Sequence, residues 1–122
     1  MIAFGFLWQL NRTGHLVFYA NYTKFQKALG LARQAKLAPG LTMRFSVNHD
    51  SIVEDARGRY QVQTDGQGHY TFTADLGGGH RGVYGYLFSN LPDQTLASLL
   101  QSANLNPELS LRQVQENWYQ FY

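Results

Sequence analysis

A chain of 122 residues, 44% of them hydrophobic, is long enough to bury one core of ordinary size, and a single domain is expected. With no cysteine it excludes disulfides, thiol catalysis and cysteine-ligated zinc, and it suits a reducing, cytoplasmic setting. Charged residues make up only 15% and the net charge is +2, so Gln, Asn, Ser and Thr must supply much of the polar surface.

The opening run, "MIAFGFLWQL", is apolar but falls short of the ~18 residues of a membrane helix. It has no preceding cation and no clean cleavage site, so it reads as a strand rather than a signal peptide, and no membrane partner is expected. Residues 2–9 and 15–20 flank the turn formers "NRTG" and predict a β-hairpin. Asn21 then caps a helix that Pro39 and Gly40 stop. Tyr22, Phe25, Ala28, Leu29, Ala32 and Ala35 recur on it at helical spacing, while Lys24, Lys27, Arg33 and Lys36 fall outside that stripe. With no acid among them, the solvent face of this helix is expected to be uniformly positive.

Leu41, Met43, Phe45 and Val47 alternate as in a strand, and residues 48–58 read as a polar loop or a short irregular strand. "RYQVQTDGQGHYTFTAD" is the strongest local signal, two alternating runs around "DGQG", and predicts a second hairpin. After the glycines of "LGGGHRG" comes a further strand, "VYGYLFSN". "LPDQTLASLLQSA" predicts a helix capped by Ser89 or Asn90 with Pro92 in its first turn. "NPELSLRQVQENWYQFY" predicts a C-terminal helix with Leu111, Val114, Trp118 and Tyr122 on one stripe. The expected order is ββαββββαα. This is an α+β fold, a mostly antiparallel sheet of five or six strands with one basic amphipathic helix and two C-terminal helices packed on it.

Charge is unevenly spread. Residues 1–49 hold Arg12, Lys24, Lys27, Arg33, Lys36 and Arg44 and no acid, whereas the remainder holds all eight acids and four arginines. Such asymmetry points to an acidic partner. The glycine stretch adds bare N–H groups that an anion can approach closely, with Gly78, Gly79, His80 and Arg81 as the candidate contacts. Neither phosphate-loop fingerprint, G-x-x-x-x-G-K-[ST] or G-x-G-x-x-G, occurs in it. His15, His49, His69 and His80 lack metal-ligand spacing, and no cofactor is expected.

The residues therefore favour a non-catalytic binding module. It would dock an acidic macromolecule, nucleic acid ahead of an acidic protein surface, through Lys24, Lys27, Arg33, Lys36 and the glycine loop. One alternative is a self-associating or protein-binding subunit using the aromatic end "NWYQFY", with Tyr119 off the core stripe as its exposed contact. Another is a small metal-independent ribonuclease-like enzyme, in which His80, Arg81, His69 and Tyr84 would converge if the strands around 69–75 and 83–88 pair. A helix-turn-helix reading of the end of the chain would give Arg112, Gln113 and Gln115 to a nucleic acid, although an ordinary two-helix cap fits better.

Overall fold

Antiparallel pairing accounts for every strand contact in the structure, a computed structural model that describes residues 15–77, 84–92 and 94–122. The elements are α1 (His15–Gln34), β1 (Thr42–Asn48), β2 (Ser51–Glu54), β3 (Tyr60–Thr64), β4 (Tyr70–Asp75), β5 (Gly85–Ser89), α2 (Leu96–Ser102), β6 (Leu111–Gln115) and β7 (Trp118–Phe121). The seven strands form one sheet in the order β2-β1-β3-β4-β5-β7-β6. The class is α+β, as composition and pattern imply.

The first helix starts earlier than its sequence signals suggest. "HLVFYA" was expected as a strand, yet it forms the first turns of α1. A continuous apolar run carries no period of its own. Phe18 and Tyr22 extend the Phe25, Ala28, Leu29 and Ala32 stripe backwards at helical spacing, and burial of Phe18 rewards that choice. Asn21 is consequently not a cap; its side-chain amide donates to the Val17 carbonyl within the helix at 2.9 Å. The partner strand expected at residues 2–9 lies outside the described residues.

The alternation of β1, β3, β4 and β5 places one row of side chains across the sheet. Met43, Val62, Phe72, Phe88 and Trp118 are successive register partners, and Phe45, Tyr60, Ala74, Tyr86 and Gln120 form the next row. The helix α1 packs Phe18, Phe25, Ala28, Leu29 and Ala32 onto these rows. Each large side chain so buried stabilises the fold by roughly 1.5–3 kcal/mol. On the opposite face Leu87 and Phe121 meet Leu99 and Leu100 of α2, Ala103 at its C-terminal cap and Leu109 of the following loop. The rest of that face is polar. There the Gln61 amide donates to the Ala103 carbonyl at 2.9 Å and Asn104 donates to Thr42 Oγ1 at 3.3 Å, so hydrogen bonds hold the end of α2 down.

The second expected C-terminal helix is instead the β6–β7 hairpin. Gln115 pairs with Trp118 across Glu116 and Asn117, and Asn117 takes a left-handed φ of 67° that suits asparagine in a tight turn. The i, i+3, i+7 stripe of Leu111, Val114 and Trp118 coincides with a bulge between Gln113 and Gln115, where the strand shifts by one residue. A helix and a bulged strand therefore share the same apolar spacing here. The helix-turn-helix reading falls with it. The helix α2 begins at Leu96, capped by Thr95, whose hydroxyl accepts from the Ser98 N–H at 3.1 Å; Ser89 lies within β5 and Asn90 just beyond it.

Gly58 is where β1 and the β2–β3 connection touch. Its N–H bonds the Asp55 carbonyl at 2.9 Å, and a Cβ there would collide with the backbone carbonyl of Phe45. Gly30 faces open space within α1. Gly58→Ala should therefore lower unfolding stability by about 1–3 kcal/mol through forced backbone displacement. Gly30→Ala should raise it by about 0.5–1 kcal/mol. Urea unfolding of both variants checks the contrast, and a midpoint for Gly58→Ala equal to that of the parent chain would refute the close approach.

Candidate functional site

The cations of α1 do not share one face. Lys24 and Arg33 are nine positions apart, about two and a half helical turns, and so lie on opposite flanks of the buried stripe. The Arg33 guanidinium sits 5.5 Å from the ring centres of both Tyr70 and Phe88, over β4 and β5. Lys24 and Lys27 instead stand over β1 and β3, lining a groove of about 440 Å³ with Ser46, Val47, Arg59 and Tyr60. Lys36 is exposed beyond the end of α1 and lines neither this groove nor the cleft described next.

Nor is the positive face uninterrupted. Asp50, in the turn between β1 and β2, pairs with Lys27 at 2.7 Å, and both side chains are largely open to water. The lysine's hydrogen bond, and then its charge, hold the Asp50 carboxyl below its ordinary value of 3.8. A surface pair of this kind contributes little to stability, and salt screens it.

A second, more polar cleft of about 530 Å³ adjoins the groove through Arg59. Arg44, Arg57, Gly58, Arg59, Asp75, Leu76 and Gly77 line it. Pattern and pairing together explain its cations. Arg44 lies on the face of β1 opposite Phe45, where Gln61 is its register partner. Its guanidinium donates to the Gly58 carbonyl at 2.9 Å and to Gln61 Oε1 at 3.0 Å, which fixes it as a wall. Asp55 Oδ1 accepts from the Arg57 N–H at 2.9 Å and shapes the turn. Arg57 and Arg59 leave that turn on either side of Gly58, both exposed. Burial pushes the Tyr60 phenol up, and the neighbouring Arg59 charge opposes that.

The cleft stands at the mouth of the β4–β5 connection. The Leu76 N–H bonds the Tyr84 carbonyl at 2.8 Å, and Gly77, at φ 64°, donates to Asp75 Oδ1 at 2.9 Å. Gly78, Gly79, His80 and Arg81 belong to this connection and lie outside the described residues. Reading the sequence alone misses Arg44, Arg57 and Arg59 as a group. The available signal was "RGR" at 57–59, which gains meaning only once β1 and β3 are known to pair.

Strands β4 and β5 do pair, but as a hairpin, and this separates His69 from Tyr84, the two described residues of the ribonuclease-like reading. His69 precedes β4 at one end, while Tyr84 precedes β5 at the other. The length of β4 places them about 20 Å apart. The Tyr84 hydroxyl is 2.9 Å from that of Tyr86. The aromatic end of the chain is likewise taken up by the sheet. Trp118 and Phe121 are buried, and Tyr119, expected as an exposed contact, is half-buried against the α2 cluster. Among the described residues no three His, Asp or Glu side chains gather as metal ligands. No helix of these residues is long and apolar enough to cross a membrane.

His69 has a local role. Its Nδ1 lies 2.7 Å from Asp65 Oδ2, and Asp65 Oδ1 accepts from the Gln67 N–H at 2.7 Å and the His69 N–H at 3.3 Å. These donors, Gln67 first, hold the Asp65 carboxyl below 3.8. A folded-state pKa lowered in this way means that the contribution of Asp65 is present above the unfolded value and lost as pH falls through the folded one. Carbon-13 NMR titration should give Asp65 a midpoint below 3.8, and Asp65→Asn should remove part of the acid limb of the stability profile. An unshifted midpoint would contradict the turn geometry.

Comparison of the chain with protein-family models, curated proteins and solved structures finds no significant match to any of them.

Proposed function

We propose that this protein is a non-catalytic binding module that docks an acidic macromolecule, with nucleic acid favoured over an acidic protein surface. The observation that carries the reading is the position of Arg59, which lines both the Lys24–Lys27 groove and the Arg44–Arg57 cleft. Through it, cations from α1, β1 and the β2–β3 turn adjoin one another. The seat therefore differs from that expected on the helix and the glycine loop, whose Gly78, Gly79, His80 and Arg81 lie outside the described residues. Lys24 and Lys27 remain in it, Arg33 and Lys36 leave it, and three arginines enter. Clustered cations bind a polyanion by displacing its condensed counterions, which gives a steep dependence on salt.

The acids at this end of the sheet oppose the reading only in part. Asp50 occupies Lys27, and Asp75 lines the cleft. Affinity for a labelled mixed-sequence oligonucleotide should fall between about 50 and 200 mM salt with a log–log slope near −3, as for three or four phosphate contacts. Asp50→Asn should raise affinity by about two-fold by freeing an exposed lysine from its pair. Fluorescence anisotropy measures both. A flat slope, or no binding to the oligonucleotide and none to polyglutamate, refutes the module.

A further inference from the structure

We infer that the acidic partner is a single-stranded nucleic acid, its backbone phosphate held between Arg57 and Arg59 and an adjoining nucleotide's base and sugar lying in the Lys24–Lys27 groove. This deepens the proposed function and rests on it.

Gly58 is pressed against the Phe45 carbonyl, Arg44 is tied to Gly58 and Gln61, and the Asp55 carboxylate fixes the Arg57 backbone. Arg57 and Arg59 are thus carried by a turn that is already rigid, so binding need order only their side chains. Among the described residues neither takes part in an ion pair. The cleft sets three guanidiniums against one carboxylate, Asp75, one of whose oxygens already accepts from Gly77. An incoming anion meets an excess of donors in forked geometry, which suits the paired non-bridging oxygens of a phosphodiester.

The neighbouring groove differs in character. Val47 and Tyr60 line it beside Lys24 and Lys27, whose side chains join an apolar stem to a cationic head. The Tyr60 ring stacks on Phe72 at 5.5 Å between centres, so the groove offers an apolar slot rather than a free stacking face. A nucleic-acid strand supplies what two such adjacent sites require, a charge on each backbone unit with a flat, largely apolar base beside it. A duplex keeps its bases stacked inside a convex cylinder and would leave the groove empty. Polyglutamate carries its charge on flexible side chains and brings no flat group.

The test compares one labelled 12-nucleotide single strand, the same sequence as a duplex, and polyglutamate by fluorescence anisotropy with the whole chain. The single strand should bind about five-fold or more tighter than either rival, the gap coming from the base in the groove. Arg59→Gln should weaken single-strand binding about ten-fold. It should also make the salt slope shallower by about 0.7. Gln113→Glu changes net charge equally on the opposite edge strand and should cost less than about two-fold. Thermal unfolding confirms that each variant is folded, and Arg57→Gln gives an independent reading of the same cleft. If duplex or polyglutamate binds as tightly as the single strand, the inference is overturned while the binding module stands. Equal losses in Arg59→Gln and Gln113→Glu would also overturn it, because binding would then follow net charge alone. Absence of binding to all three would remove the module as well.

Discussion

Trp118 is the ring on which the described parts of the chain converge. It comes from β7, near the C-terminal end, and lies within 5.2–6.2 Å, centre to centre, of Phe88, Phe18, Phe25, Phe72 and Tyr22. Three of those rings belong to α1 and two to the central strands. Without this contact α1 would rest chiefly on β1 to β5, and β7 would be held by its pairing with β5 and β6 and by the packing of Phe121. A tryptophan surrounded by tilted, edge-on and stacked rings adds specific geometry to plain area burial, at roughly 0.5–1.5 kcal/mol per aromatic pair. It therefore sets how the helix lies as well as whether it stays.

That setting determines what the basic residues of α1 face. Seated through Phe18, Phe25, Ala28, Leu29 and Ala32, the helix holds Lys24 and Lys27 over β1 and β3 and Arg33 over Tyr70 and Phe88. A helix spreads its residues around a circle, so Lys24 and Arg33, nine positions apart, cannot face one way, and Lys36 lies beyond the end of α1. The cationic surface is rebuilt from elsewhere, by strand pairing that brings Arg44 beside Gln61 and by a glycine turn that lifts Arg57 and Arg59. The proposed binding surface is thus a property of the sheet end more than of the helix.

How far the sequence spoke depended on whether each signal was local. The β3–β4 hairpin, with Tyr60, Val62 and Thr64 facing Tyr70, Phe72 and Ala74 around "DGQG", was legible because period and turn chemistry agree there. The helix interior from Tyr22 to Ala32 was equally plain. Two regions misled for the same reason. "HLVFYA" is apolar at every position, and Leu111, Val114 and Trp118 carry helical spacing only because a bulge inserts a residue into a strand. In both, tertiary contact with the Trp118 core decides the conformation. The charge asymmetry between the halves of the chain was visible, but the cleft it leads to was not. Arg44 and Arg59 are fifteen positions apart, and only the β1–β3 pairing makes them neighbours.

The two outermost strands carry a consequence for the protein's behaviour at high concentration. At one end β2 offers only four residues, from Ser51 to Glu54, and at the other the β6 ladder is broken between Gln113 and Gln115. A newcomer strand would find too few free amides on the first and an out-of-step set on the second. A chain so rich in glutamine, tyrosine and phenylalanine is the kind that stacks into fibrils when its borders are long and regular. Among the described residues, a short border on one side and a broken one on the other both disfavour the addition of further strands.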